Sequence, residues 1–116
     1  MRSPLVIEVP DVTEPAAAAA MADKWAPKLK ALADRNRLHL ALLLAVRPRT
    51  VKELESASGL SQALVSHHLK PLRDEGLVTV TPVGRSNRYA LCCDKVVGVV
   101  SALSQLAVPP DVEAGS

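Results

Sequence analysis

The 116-residue sequence contains no phenylalanine, one tryptophan, one tyrosine and only two cysteines. The cysteines, Cys92 and Cys93, are neighbours in sequence and cannot easily bridge each other, so a scaffold of structural disulfides is excluded. The longest apolar run, roughly Leu38 to Val46, falls far short of the ~20 residues needed to span a bilayer. The opening MRSPLVIEVPDVTEP lacks the apolar core and small-residue cleavage site of a secretory signal. A reducing, cytoplasmic setting with no membrane partner is therefore expected. Nor is there a phosphate-cradling glycine loop, a paired-carboxylate cleft or a Ser/His/Asp arrangement, so an enzyme is not expected. At 48% apolar residues the chain is too apolar for a disordered protein, and its length suits one domain with a modest core.

Net charge is only +2, but it is unevenly spread. Residues 1–23 set Arg2 against Glu8, Asp11, Glu14 and Asp23. Residues 24–52 carry Lys24, Lys28, Lys30, Arg35, Arg37, Arg47, Arg49 and Lys52 against Asp34 alone. An acidic lead-in before a basic body fits a surface that meets a polyanion, or a merely solvated basic face.

Residues 1–13 are expected to form an extended arm, 14–108 the folded domain and 109–116 a tail. Thr13-Glu14-Pro15 opens an alanine-rich helix, with Thr13 or Glu14 as cap. Pro27 is expected to kink or split it. Asp34 caps the next helix, RNRLHLALLLAV, which is apolar on every side and so is expected to be buried all round. Thr50-Val51-Lys52-Glu53 has the form of a capping box. The short helix it opens ends near Gly59, and Ser61 caps another, giving two helices joined by a tight glycine turn. That is a helix-turn-helix pattern.

The second of these helices, SQALVSHHLKPLRDEG, ends at Gly76 with Leu77 placed to touch Leu72. LVTVTPV and RYALC then alternate as a hairpin, with the basic tip Gly84-Arg85-Ser86-Asn87. A last helix, DKVVGVVSALSQLAV, aligns Val96, Val99, Val100, Leu103, Leu106 and Ala107 on one stripe.

At 100° per residue, Val65, Leu69 and Leu72 share a narrow arc with His68 at its edge, whereas Ala63, Ser66, His67 and Lys70 lie opposite. His67 and His68 therefore diverge and cannot both reach one metal ion without distortion. His68 is expected to be a packed, hydrogen-bonded core residue, and His39 is expected to be structural. The outward face, by contrast, is slim. Small polar side chains there suit the major groove, where Gln62 can pair with adenine, His67 with a base or phosphate, and Lys70 with phosphate. Pro71 is expected to kink this helix behind its reading segment. Arg85 and Arg88 would make the hairpin a wing that tracks phosphates or probes the minor groove.

Three stretches, KLKALADRNRLHLALLLAV, TVKELESASGLSQALVSHHLKPLRDEGLV and GRSNRYAL, together resemble the ArsR/SmtB family of bacterial winged-helix repressors over roughly Leu29 to Leu91. The resemblance implies a mainly α winged helix-turn-helix fold with a small β-hairpin. It also implies a homodimer, paired through its first and last helices, that binds a palindromic operator to block transcription. DNA reading is carried onto Ser61, Gln62, Ala63, Ser66 and His67. With Thr50, Lys70, Arg85, Asn87 and Arg88, these form the candidate DNA-binding set. Dimerisation also follows from the residues, because the alanine-rich first helix and the last stripe would otherwise leave two apolar faces uncovered.

Metal sensors of this family carry cysteines in the first helix of the helix-turn-helix, or His and Asp ligands on the last helix. TVKELESASG has no Cys, and DKVVGVVSALSQLAV has no His and only Asp94 at its cap. No cofactor is expected, and a transition metal stays open only at a non-standard site. Cys92 and Cys93 allow a thiolate or redox role, or small packed residues. Two other readings follow: a repressor whose signal arrives through a partner protein, and a winged-helix protein–protein module without DNA binding. Acidic or bulky residues on the reading face would mark that module, but small residues stand there with Lys70, and the wing carries basic arginines.

Overall fold

The computed structural model describes residues 13–92 together with Val100 and Leu103. Of these, 26–92 form one compact unit and 13–25 with Val100 and Leu103 belong to another. The expected arm before Thr13, the tail, and all of the last helix except Val100 and Leu103 lie outside the described residues. Both of those residues are helical and exposed.

Helix α1 spans Pro15–Leu32 and is not split, contrary to expectation: it runs unbroken through Pro27. Proline removes one amide donor, and the residue whose carbonyl loses its partner, Asp23, is exposed, where water can replace that bond. Helix α2, Arg35–Val46, starts at Asp34, whose Oδ2 accepts from the amides of Asn36 (3.0 Å) and Arg37 (3.1 Å). Its expected all-round burial is incorrect. Leu40, Ala41 and Leu44 are buried, while Leu38, Leu42 and Val46, spaced by four, face outward. An apolar helix surface does not by itself say whether its own chain covers it.

Helix α3, Val51–Ser58, begins with a complete capping box: Thr50 Oγ1 accepts from the Glu53 amide at 3.2 Å, and Glu53 Oε1 accepts from the Thr50 amide at 2.8 Å. It ends at Gly59, which has φ +80° and donates to the Glu55 carbonyl at 2.9 Å. Helix α4, Gln62–Asp74, is capped by Ser61 Oγ on the Leu64 amide at 3.2 Å and continues past Pro71 as one helix. Its end is a Schellman motif. Leu77 donates to the Leu72 carbonyl (2.8 Å) and Gly76, at φ +73°, to that of Arg73 (2.9 Å).

Strands β1 (Arg49–Thr50), β2 (Val78–Val83) and β3 (Ser86–Leu91) form an antiparallel sheet in the order β1-β3-β2. Thr50 and Thr81 both lie opposite Arg88, and Val83 pairs with Ser86. The turn is thus the two residues Gly84-Arg85 rather than the expected four, and Ser86 and Asn87 belong to β3. Two residues of β1, too short to carry an alternation signal, were not legible in the sequence.

The core of this unit is aliphatic. Leu40, Leu54, Val65, Leu69, Leu72 and Leu77 are fully buried where α2, α3 and α4 pack on one another and on the sheet. Each such side chain contributes about 1.5–3 kcal/mol of burial free energy. The consequence for α4 is direct: Val65, Leu69 and Leu72 anchor one side of the helix, so the other side is presented to solvent.

Candidate nucleic-acid interface

The adjacent histidines separate as their helical positions require. His68 is buried and His67 is exposed, with ring centroids 5.0 Å apart at 71°. His68 Nε2 lies 3.4 Å from Asn36 Nδ2, and its Nδ1 lies 3.7 Å from Asp34 Oδ2. The buried Nδ1 makes no hydrogen bond, so His68 is a core residue satisfied at one nitrogen only. His39 is half-buried and its Nδ1 is likewise without a partner. Among the described residues, no three His, Cys, Asp or Glu side chains converge as metal ligands. Cys92 is half-buried, and its amide donates to the Leu77 carbonyl at 2.7 Å, tying the end of the hairpin to its start.

Ser61, Gln62, Ala63, Ser66, His67 and Lys70 are all exposed, as are Arg85, Asn87 and Arg88. The exposed side of α4 is a ridge between two grooves. On the wing side, Gln62 and Ser66 share a groove of about 580 Å³ with Thr50, Lys52, Arg85, Asn87 and Tyr89, and with one acid, Glu55. On the other side, His67 and Lys70 line a second groove, of about 450 Å³, with Lys30 and Arg37. Five candidate residues thus meet in the first groove and two in the second, while Ser61, Ala63 and Arg88 border neither.

Two candidates already have structural duties. The Thr50 and Ser61 hydroxyls cap α3 and α4, so any contact they make with a ligand shares an atom with the cap. Lys70 is paired with Asp74 at 2.9 Å, an exposed i,i+4 pair of the kind worth about 0.3–0.5 kcal/mol, which a stronger anion can displace. The capping bonds also act on acidity. The Arg37 amide holds the Asp34 carboxyl below its ordinary value, and the Thr50 amide does the same for Glu53, aided by Arg47 at 3.6 Å. Both groups stay anionic at the helix N-termini they cap, where negative charge is favoured.

Lys52, Tyr89, Lys30 and Arg37 border these grooves but were not singled out from the sequence. Lys30, Arg37 and Lys52 stand in the basic stretch noted there. Only the packing of α1, α2 and α3 around α4 shows which of its cations lie beside the ridge.

Residues 34–80 match the family model described as bacterial regulatory protein, arsR family. The chain is 37% identical over 79 residues to the arsenical resistance operon repressor of Bacillus subtilis, across 67% of this chain and 75% of that protein. It is 37% identical over 78 residues to a transcriptional repressor SmtB homolog of Synechocystis sp., where it spans 67% of its own length and 59% of its relative's. Among solved structures, a homodimeric winged helix-turn-helix DNA-binding domain from Mycobacterium bovis is similar with a TM-score of 0.62 at 30% identity. That match covers 82% of this chain and 87% of the other.

Proposed function

The chain belongs to the ArsR family of bacterial regulatory proteins, and from that premise we propose that it is a transcriptional repressor that binds duplex DNA sequence-specifically as a homodimer. One observation carries the reading: the slim, exposed face of α4 projects between grooves bordered by cationic side chains, with the basic wing turn beside it. A helix enters the major groove only if its leading surface is not bulky, and Ala63 and Ser66 meet that requirement. Gln62 and His67 are the base-reading groups in this account. Arg85, Arg88 and Lys70 hold phosphates, Asn87 supports the wing contact, and Thr50 and Ser61 contact the DNA through their hydroxyls.

The dimer is supported by apolar surface that one copy leaves uncovered, at Leu38, Leu42 and Val46 on α2 and at Val100 and Leu103. Two-fold symmetry would set the two α4 helices about 34 Å apart, one DNA turn, and would match a palindromic operator. Such a protein works in the cytoplasm, where bacterial DNA lies.

Fluorescence-anisotropy titration of the protein's own upstream region, repeated at increasing salt, tests this. Affinity for one duplex far above that for scrambled DNA is expected, falling linearly on logarithmic axes as counterions are released. Equal binding to all duplexes, or none, overturns the proposal.

A further inference from the structure

The ridge of α4 has two flanks, and the wing stands on only one. The groove on the other flank lies between the last turns of α1, the start of α2 and the outer half of α4. Lys30, Arg37, Lys70 and His67 border it, as do the carboxylates of Asp74 and Glu75. Both carboxylates already have cationic partners: Asp74 pairs with Lys70 at 2.9 Å and Glu75 with Lys28 at 3.8 Å. Lys30, by contrast, is exposed and enters none of the ion pairs formed among the described residues. Arg37 donates its Nε–H to the Ala31 carbonyl at 2.5 Å. That bond fixes the guanidinium plane at the groove and uses one of its five N–H groups.

A helix seated in the major groove lies between two phosphate backbones, one from each strand. The wing-side groove accounts for one of them. We propose that the groove between α1, α2 and α4 seats phosphates of the opposite strand, with Lys30 and Arg37 as the donors. Each protomer then grips both walls of the major groove rather than one. The occupant is a DNA backbone because the groove is open and shallow, its acids are already neutralised, and it runs along the same helix that carries the base-reading groups. This inference rests on the DNA-binding reading above and adds to it two residues, Lys30 and Arg37, and a second strand.

The test uses the full chain and a duplex that it selects from a random-sequence pool, with single phosphates replaced in turn by neutral methylphosphonates. Wild-type binding is expected to weaken at positions on both strands bordering each major groove. Within each half-site, Lys30→Gln should lose sensitivity at a phosphate of one strand and keep it on the other strand, and Arg85→Gln should show the reverse. Lys30→Gln should also flatten the salt dependence by about 0.9 per protomer, about 2 per dimer. Lys30→Arg should keep the wild-type pattern, which separates charge from any effect on folding. If Lys30→Gln loses sensitivity at no phosphate, or only at the phosphates that Arg85→Gln also loses, the groove is not a backbone seat. If the wild type selects no duplex, or no phosphate matters to it, the DNA-binding reading itself has failed.

Discussion

The turn that sets α4 against α3 depends on Gly59, and replacing it gives a calculable effect. Its φ of +80° is a left-handed conformation, and a β-carbon built there meets no atom within 4 Å. Gly59→Ala therefore creates no clash, and its whole cost is in the backbone. An L-residue forced into this region loses about 1–2 kcal/mol, while the reduced freedom of the unfolded chain returns about 0.4–1 kcal/mol. The net loss is about 1 kcal/mol, which lowers the melting temperature by about 4 °C for a domain of this size. Asparagine enters the left-handed region more readily than alanine, so Gly59→Asn should recover part of the loss. Thermal unfolding followed by circular dichroism, at one fixed protein concentration, measures all three proteins. If Gly59→Ala melts at or above wild type, or if asparagine is worse than alanine, backbone handedness does not hold this turn.

Leu72 is fully buried and closes the Schellman cap against Leu77, so Leu72→Ala should cost about 2–5 kcal/mol in a denaturant titration; a loss below about 1 kcal/mol would contradict the packing described. Asp34→Ala should lower the melting temperature by removing the α2 cap. Asp34 and Glu53 have folded-state pKa values below their unfolded ones, so the stability they confer is present above about pH 4 and is lost as pH falls through the lowered values. Glu53→Gln keeps a capping-box side chain and should make the acid decline between pH 5 and 2 shallower; an unchanged decline would remove Glu53 from it. Leu103→Glu places charge on exposed apolar surface proposed to meet a second copy, and sedimentation should show a shift from dimer to monomer.

Local grammar made much of this legible in advance. Capping residues, glycine stops and the period of α4 depend on neighbours within a few positions. Asp34, the Thr50–Glu53 box, Gly59, Ser61 and the Gly76–Leu77 closure therefore stand where the sequence puts them. The same arithmetic parted His67 from His68. What depends on other elements was not legible. The outward stripe Leu38-Leu42-Val46 is indistinguishable by composition from the buried side of α2. Strand β1 exists only because β3 pairs with Arg49 and Thr50. Pro27 does not end α1, since one missing amide bond at an exposed carbonyl does not stop a helix of 18 residues. The second groove combines residues from three helices and could not be read from any one of them.

The division of labour on α4 and the wing is tested most directly by competition binding across a panel of operators, each changed at one base pair. Gln62→Ala and His67→Ala should compress the spread of affinities at particular positions, while Arg85→Gln should weaken every operator by the same factor. A uniform loss in the first pair, or an altered ranking of operators in the third variant, would contradict the claim that this helix reads bases while the basic turn beside it only anchors.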